Sequence, residues 1–190
     1  NDDYVARIGS TGYTSLQDAV NEVSTTEPTT ITLLKDARGD GVIVPSDKNM
    51  TFDLNNCTYT IDGTTVGSTG TETNGFQLLK NSTVTFKNGT ITSDKAKILI
   101  QNYSNLTLDN VILNGTDLKG SAPYPLSNNF GNTRIKDTAI QAATNGYAFD
   151  LYYWPDGGYE EGVSVTVEGN SVIDGDVQYG SDGSKTDEVA

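Results

Sequence analysis

Asp53 and Asp109 are the residues of this chain whose placement first suggests chemistry. Each follows an apolar residue at the end of a short alternating stretch, in Phe52-Asp53-Leu54 and Leu108-Asp109-Asn110. On strands of the expected period both carboxylates project to one outer face, and Thr85 is expected to stand between them on an intervening strand. Two carboxylates facing a groove about 5–10 Å apart are the equipment of glycoside hydrolysis. The chain has no histidine. That excludes Ser-His-Asp and Cys-His catalysis and His-ligated zinc. A lyase needs a base and cations to hold an acidic sugar, and only Arg7, Arg38 and Arg134 supply guanidinium groups. Acids on a solvated sheet face are ordinarily just solvated. A hydrolase or lyase using paired carboxylates is therefore the alternative function, and no catalytic residue is assigned.

The segment Tyr147-Ala-Phe-Asp-Leu-Tyr-Tyr-Trp-Pro-Asp-Gly-Gly-Tyr159 is the candidate recognition surface. It holds six of the sixteen aromatic residues, including the only tryptophan. Alternation points Phe149 and Leu151 inward and Tyr152 to solvent, with Trp154 at the loop edge. Rings beside carboxylates suit neutral sugars, whose apolar faces stack while hydroxyls find acceptors. Tyr152, Tyr153, Trp154, Asp156 and Tyr159 are the candidate ligand-binding residues. The competing expectation is that these rings close the widened end of the core.

Acid-rich loops at Asp36–Asp40, Asp174–Asp176 and Asp182–Glu188 offer oxygen ligands, but none follows the EF-hand order of ligands. They read as turns. No cofactor or metal site is expected, and calcium in a structural role is the one ion these loops would suit. Cys57 has no cysteine partner, no histidine and no cationic run beside it, so it reads as a small packed side chain.

The elements that position these groups come from a recurring phrase. It runs Phe52-Asp-Leu54-Asn-Asn56, Val84-Thr-Phe86-Lys-Asn88, Leu106-Thr-Leu108-Asp-Asn110, Thr133-Arg-Ile135-Lys-Asp137 and Val165-Thr-Val167-Glu-Gly169. Apolar-polar-apolar is a half-buried strand, and Asn, Asp and Gly tolerate a left-handed bend. Residues 54, 86, 108, 135 and 167 are expected to stack, 22 to 32 residues apart. Asn56, Asn88, Asn110 and Asp137 then form a structural ladder at one bend, each amide donating and accepting along the stack. Asn56, Asn81, Asn88, Asn102, Asn105 and Asn114 match the Asn-x-Ser/Thr acceptor pattern, which arises naturally where bend asparagines precede strand-forming threonines.

Three apolar segments per turn predict an all-β fold, a right-handed parallel β-helix (solenoid) with a short N-terminal capping helix. Leu16, Ala19, Val20 and Val23 fall at helical spacing and Thr14 stands three residues before Gln17 in a capping-box order, predicting a helix over about 15–23. Residues 1–30 are expected to be the cap of the same domain, 31–180 the coils, and 181–190 a flexible tail. Gly63–Asn74, Thr116–Tyr124 and Pro155–Gly162 read as loops between strands.

Val5-Ala-Arg-Ile-Gly, Tyr13-Thr-Ser-Leu-Gln-Asp-Ala-Val20 and Ile31-Thr-Leu-Leu-Lys-Asp36 resemble the N-terminal cap of pectin-lyase-like right-handed β-helix modules of bacterial cell-surface proteins. The resemblance implies display outside the cell beside repeat or anchoring domains. Arg134-Ile-Lys136 resembles the Arg-x-Lys element of polygalacturonases, whose Asp-pair and Gly-His-Gly elements the chain lacks.

The formal charge is -13, from 12 basic and 25 acidic residues. Such a field repels phosphate backbones and anionic bilayers, so no nucleic-acid partner is expected. No apolar run approaches a membrane span, so no membrane insertion is expected. The sequence thus leads to a non-catalytic extracellular β-helix module of a bacterial surface protein, a rigid spacer or adhesive display. Its expected partners are glycan or host surface protein, and it is expected to be a monomeric module of a longer chain.

Overall fold

The computed structural model describes residues 1–24 and 26–182. The chain is all-β, built on parallel sheets. It opens with β1 (Ala6–Ile8) and β2 (Thr11–Tyr13), which pair antiparallel, and α1 (Leu16–Asn21). Strands then recur in sets of three. The first set is β3 (Thr29–Leu33), β4 (Ala37–Gly39) and β5 (Val42–Val44). The second is β6 (Asn49–Asp53), β7 (Thr58–Ile61) and β8 (Asn74–Leu78). In the next two sets one long strand runs through the bend, giving β9 (Thr83–Ser93) with β10 (Ile98–Asn102) and β11 (Asn105–Asn114) with β12 (Tyr124–Asn128). The last two are β13 (Gly131–Lys136), β14 (Ala139–Gln141) and β15 (Phe149–Tyr153), then β16 (Val163–Glu168), β17 (Val172–Asp174) and β18 (Val177–Ser181).

Each strand pairs in parallel with its counterpart in the next set. One sheet orders β5-β8-β10-β12-β15-β18; the larger sheet carries β3-β6-β9-β11-β13-β16 and, beyond the bend, β4-β7 followed by the distal halves of β9 and β11, then β14 and β17. This arrangement is compatible with a parallel β-helix. Inward-facing residues line up across the sets: Ile31, Phe52, Phe86, Leu108, Ile135 and Val167 in one column, and Ala37, Tyr59, Ile91, Leu113, Ile140 and Ile173 in another. Phe52 stacks on Phe86 at 4.6 Å, and Phe76 meets Phe86 edge-on at 5.1 Å.

The first copy of the recurring phrase sits two residues away from its expected register. Met50 pairs with Val84 and Phe52 with Phe86, so Phe52, not Leu54, shares the column of Phe86 and Leu108. Two extra residues in that bend cause the offset, and Asn55 and Asn56 both take positive φ to accommodate them. Leu54 fills the inside of the enlarged bend, where a Cβ on Gly89 would lie 2.4 Å from its own Cβ. Glycine is therefore required at position 89 by close approach.

The helix is shorter than its periodicity suggests, and its N-cap is Ser15, whose Oγ accepts from Asp18 N–H, not Thr14. Gln17 is taken out of the expected capping box by a stronger use. Its Oε1 accepts from Ile43 N–H at 2.8 Å and its Nε2 donates to Ile43 O at 3.0 Å. β5 is the edge of its sheet, so one side-chain amide satisfies there what a further strand would. Leu16, Ala19 and Val20 are buried beneath the helix. At the other end Ser181 closes β18 opposite Tyr153, and Asp182 N–H donates to Tyr153 O, so the expected tail does not begin at 181; residues 183–190 lie outside the described residues. Among the described residues no helix is long and apolar enough to cross a membrane.

Candidate functional site

The outer face of the large sheet places the carboxylates differently from expectation. Asp53 pairs with Lys87, Lys87 with Asp109, Asp109 with Lys136, and Lys136 with Glu168. Thr85 belongs to the neighbouring column with Thr51, Thr107 and Arg134. Outward alternation separates residues 85 and 87 by one full period, which single-sequence spacing cannot distinguish once Leu54 is misregistered. With strands about 4.8 Å apart, the two aspartates are two spacings apart, with Lys87 at the strand position between them. Arg134 donates to Glu168 Oε1 at 2.6 Å in the adjoining column.

The bend residues divide their work. Asn110 Nδ2 donates to Asn88 Oδ1 at 3.0 Å, both with left-handed φ near 56–59°. Asn56 joins through its backbone, its N–H donating to Asn88 O. Asp137 serves the following turn, its Oδ1 accepting from Asn170 N–H at 2.8 Å, and a Cβ on Gly169 would strike that carboxylate. Cys57 packs against the core beside this corner, and burial pushes its thiol up, reinforced by Asp36.

The aromatic segment forms part of a larger assembly. Trp154, 36 % exposed, stacks on Tyr159 at 5.3 Å; Tyr159 in turn meets Tyr103 at 5.2 Å and Phe130 at 5.3 Å. Lys80 Nζ lies 4.8 Å from the Phe130 centroid and donates to Gly158 O at 3.5 Å. This ties the third set to the short 3-10 turn Pro155–Gly157 and its left-handed Gly158. Tyr153 and Tyr152 are half-buried, Tyr153 Oη donating to Glu160 O; Asp156 is exposed, with its N–H on Asp182 Oδ2. Tyr159 is thus the member of the expected group that reaches the cluster's centre, Trp154 flanks it, and Tyr152, Tyr153 and Asp156 stand outside it. Burial pushes the Tyr103 and Tyr159 phenols up.

Beside these rings a recess of about 270 Å³ opens where the small sheet hands over to the start of the large one. Tyr103 and Phe130 form its apolar side and Asn81, Asn105 and Asn132 its polar side, with Glu161 at the margin. The amides are held in a chain: Asn132 N–H donates to Asn105 Oδ1 at 3.0 Å, and Ser164 Oγ donates to Asn132 Oδ1 at 2.6 Å. Both Oδ1 atoms are thereby engaged, while the Nδ2 groups of Asn105 and Asn132 make no hydrogen bond among the described residues. The signal in the sequence is an asparagine immediately before an alternating triplet, in Asn105-Leu-Thr-Leu and Asn132-Thr-Arg-Ile, which at Asn105 is obscured by the glycosylation pattern.

A buried acid lies on the small sheet's outer face. Asp150 is 6 % exposed, and burial pushes its carboxyl up to about 6 against the pull of Asn128 N–H, Ser127 and Tyr124. Among the described residues no group of three or more His, Cys, Asp and Glu converges to hold a metal; of the acid-rich loops weighed for calcium, Asp182–Glu188 lies, beyond Asp182, outside those residues. No protein-family model, curated protein or solved structure matches the chain.

Proposed function

We propose that this chain is a right-handed parallel β-helix module of the pectin-lyase-like kind, displayed outside a bacterial cell as a rigid spacer and adhesive surface. Its partners are glycan or host surface protein. The winding is supported by the return of every set to the parallel register of the one before it, with a right-handed crossover following from strand chirality. Rigidity follows from pairing at three places in each set, which keeps side loops at fixed heights along the stack.

The observation that carries the non-catalytic reading is the column Asp53, Lys87, Asp109, Lys136, Glu168. Lys87 holds the strand position between the two aspartates, so the two carboxylates do not face one another across an open position, and acids alternate with lysines down the column. A solvated face of alternating charge is soluble and chemically quiet. Incubation with plant and host polysaccharides is expected to release neither reducing ends nor unsaturated products. Release that disappears in Asp109→Asn would replace the display reading with hydrolysis by paired carboxylates.

A further inference from the structure

We propose that the recess at the corner between the two sheets is a binding site for one uncharged sugar ring of a glycan chain. The inference deepens the display reading and takes from it only the biological setting. Three features of the recess select this ligand class. Its apolar side is small and aromatic: Phe130, buried beneath Lys80 and Tyr159, backs the recess, and half-buried Tyr103 supplies the ring that a C–H surface can meet. Its polar side is made of amides and a hydroxyl, the groups that match sugar hydroxyls, which are donor and acceptor at once.

The hydrogen-bond chain fixes which amide atoms face the ligand. Asn105 and Asn132 use their Oδ1 atoms to brace Asn132 N–H and Ser164 Oγ, so each presents Nδ2 as a preoriented donor at no cost in ordering. They stand on neighbouring strands at the same register position, one residue before the Leu106–Thr133 pair. Donors spaced by about 4.8 Å, the distance between strands, suit successive oxygens on one ring.

Charge supplies the third feature. No Lys or Arg lines the recess, the nearby Lys80 ammonium is committed to the Phe130 and Tyr159 rings and to Gly158 O, and Glu161 stands at the margin. A uronic acid or sulfated sugar would therefore bring its anion beside the Glu161 carboxylate, with no cationic side chain in the lining to meet it. At about 270 Å³ the recess takes one sugar ring and not a whole oligosaccharide, so neighbouring units lie outside it.

The full chain is titrated by calorimetry with cellotetraose, maltotetraose, galactotetraose, chitotetraose and, as the anionic comparator, tetragalacturonate. At least one uncharged tetrasaccharide is expected to bind with Kd near or below about 1 mM, and tetragalacturonate at least tenfold more weakly. Asn105→Asp and Asn132→Asp keep the Oδ acceptors and remove the Nδ2 donors, so each is expected to weaken binding about tenfold with an unchanged thermal midpoint. Asn81→Gly keeps the left-handed backbone at φ 69° and serves as a second, fold-neutral probe, expected to weaken binding as well.

The proposal is overturned if no uncharged tetrasaccharide saturates, if tetragalacturonate binds as tightly as the best of them, or if binding survives all three asparagine variants and is lost in Trp154→Ala. The last outcome would put the ligand on the outer loop. Absence of binding together with absence of cleavage removes the recess and leaves the display reading standing. Cleavage of a bound saccharide removes the display reading and leaves the recess as the site.

Discussion

The early and late sets of strands share one register but fill their interiors with different chemistry. Around Phe52, Phe76 and Phe86 the interior is aromatic, with edge and stacked ring contacts of 4.6–5.6 Å. In the third and fourth sets the column that begins with Val44 and Leu78 continues as Asn102 and Asn128, both fully buried. Asn102 Nδ2 donates to Asn128 Oδ1 and Thr133 Oγ1, Asn102 Oδ1 accepts from Ser104 N–H and Oγ–H, and Asn128 Nδ2 donates to Asp150 O. The last set ends with Val167, Val172 and Tyr179 exposed. The early interior draws its stability from apolar burial, which tolerates rearrangement. The late one depends on a polar network, which is favourable only when every member is satisfied.

The largest test of this contrast is Phe86→Ala, expected to cost about 3–5 kcal/mol in denaturant unfolding, against about 1 kcal/mol or less for Val167→Ala at the exposed rim. Equal losses would break the comparison. Asp150 sharpens it through pH. Its folded carboxyl titrates near 6 and its ordinary value is 3.8, so the folded state binds the proton more tightly than the unfolded one. The associated stability is fully present below about pH 4 and falls by about 3 kcal/mol as pH rises through 6. Asp150→Asn is therefore expected to melt higher than the parent chain at pH 7.5, with the gap closing by pH 4; a gap independent of pH would refute the assignment.

Asn102→Leu is next, with an expected loss of about 1–3 kcal/mol because Ser104 N–H and Oγ–H lose their buried acceptor even though the new side chain is apolar. A gain in stability would show that the late interior behaves like the early one. Least affected should be Val172→Thr, at 62 % exposure, with a shift within about 0.5 kcal/mol.

Strand period and bend chemistry were legible from residue type because both are local. Val84-Thr-Phe86 and Leu106-Thr-Leu108 alternate as half-buried strands, and Asn88, Asn110 and Asp137 do adopt left-handed backbone. Register across the stack was only partly legible. It depends on bend length, and the two extra residues between Phe52 and Thr58 shifted Leu54 out of its column and brought Lys87, in place of Thr85, between the two aspartates. Asn102 is marked in the sequence only by the Asn-x-Ser/Thr pattern, and nothing in residue type marks Asn128, because asparagine is seldom buried; only pairing reveals that they are in phase with Ile100 and Leu126. The recess was the least legible feature. Tyr103, Phe130 and Glu161 are far apart in sequence and meet only where the turns after the third, fourth and fifth sets stack, whereas Trp154 and Tyr159 announce themselves by sitting together.

The grip of Gln17 on Ile43 bears on how the molecule stays apart from its neighbours. A bare β5 would offer any passing extended peptide a row of unmet amide groups, and parallel stacks of this kind are natural templates for fibrous growth. Here a carboxamide tethered to the same backbone has already taken the place at Ile43, so an intruder must displace a rival whose local concentration no free peptide can approach. One neutral amide thus closes, at Ile43, the hydrogen-bonding place that a further strand would take. Exchanging it for a carboxylate, as deamidation would, sets an anion against the Ile43 carbonyl and unlocks that border while leaving the sheets behind it paired.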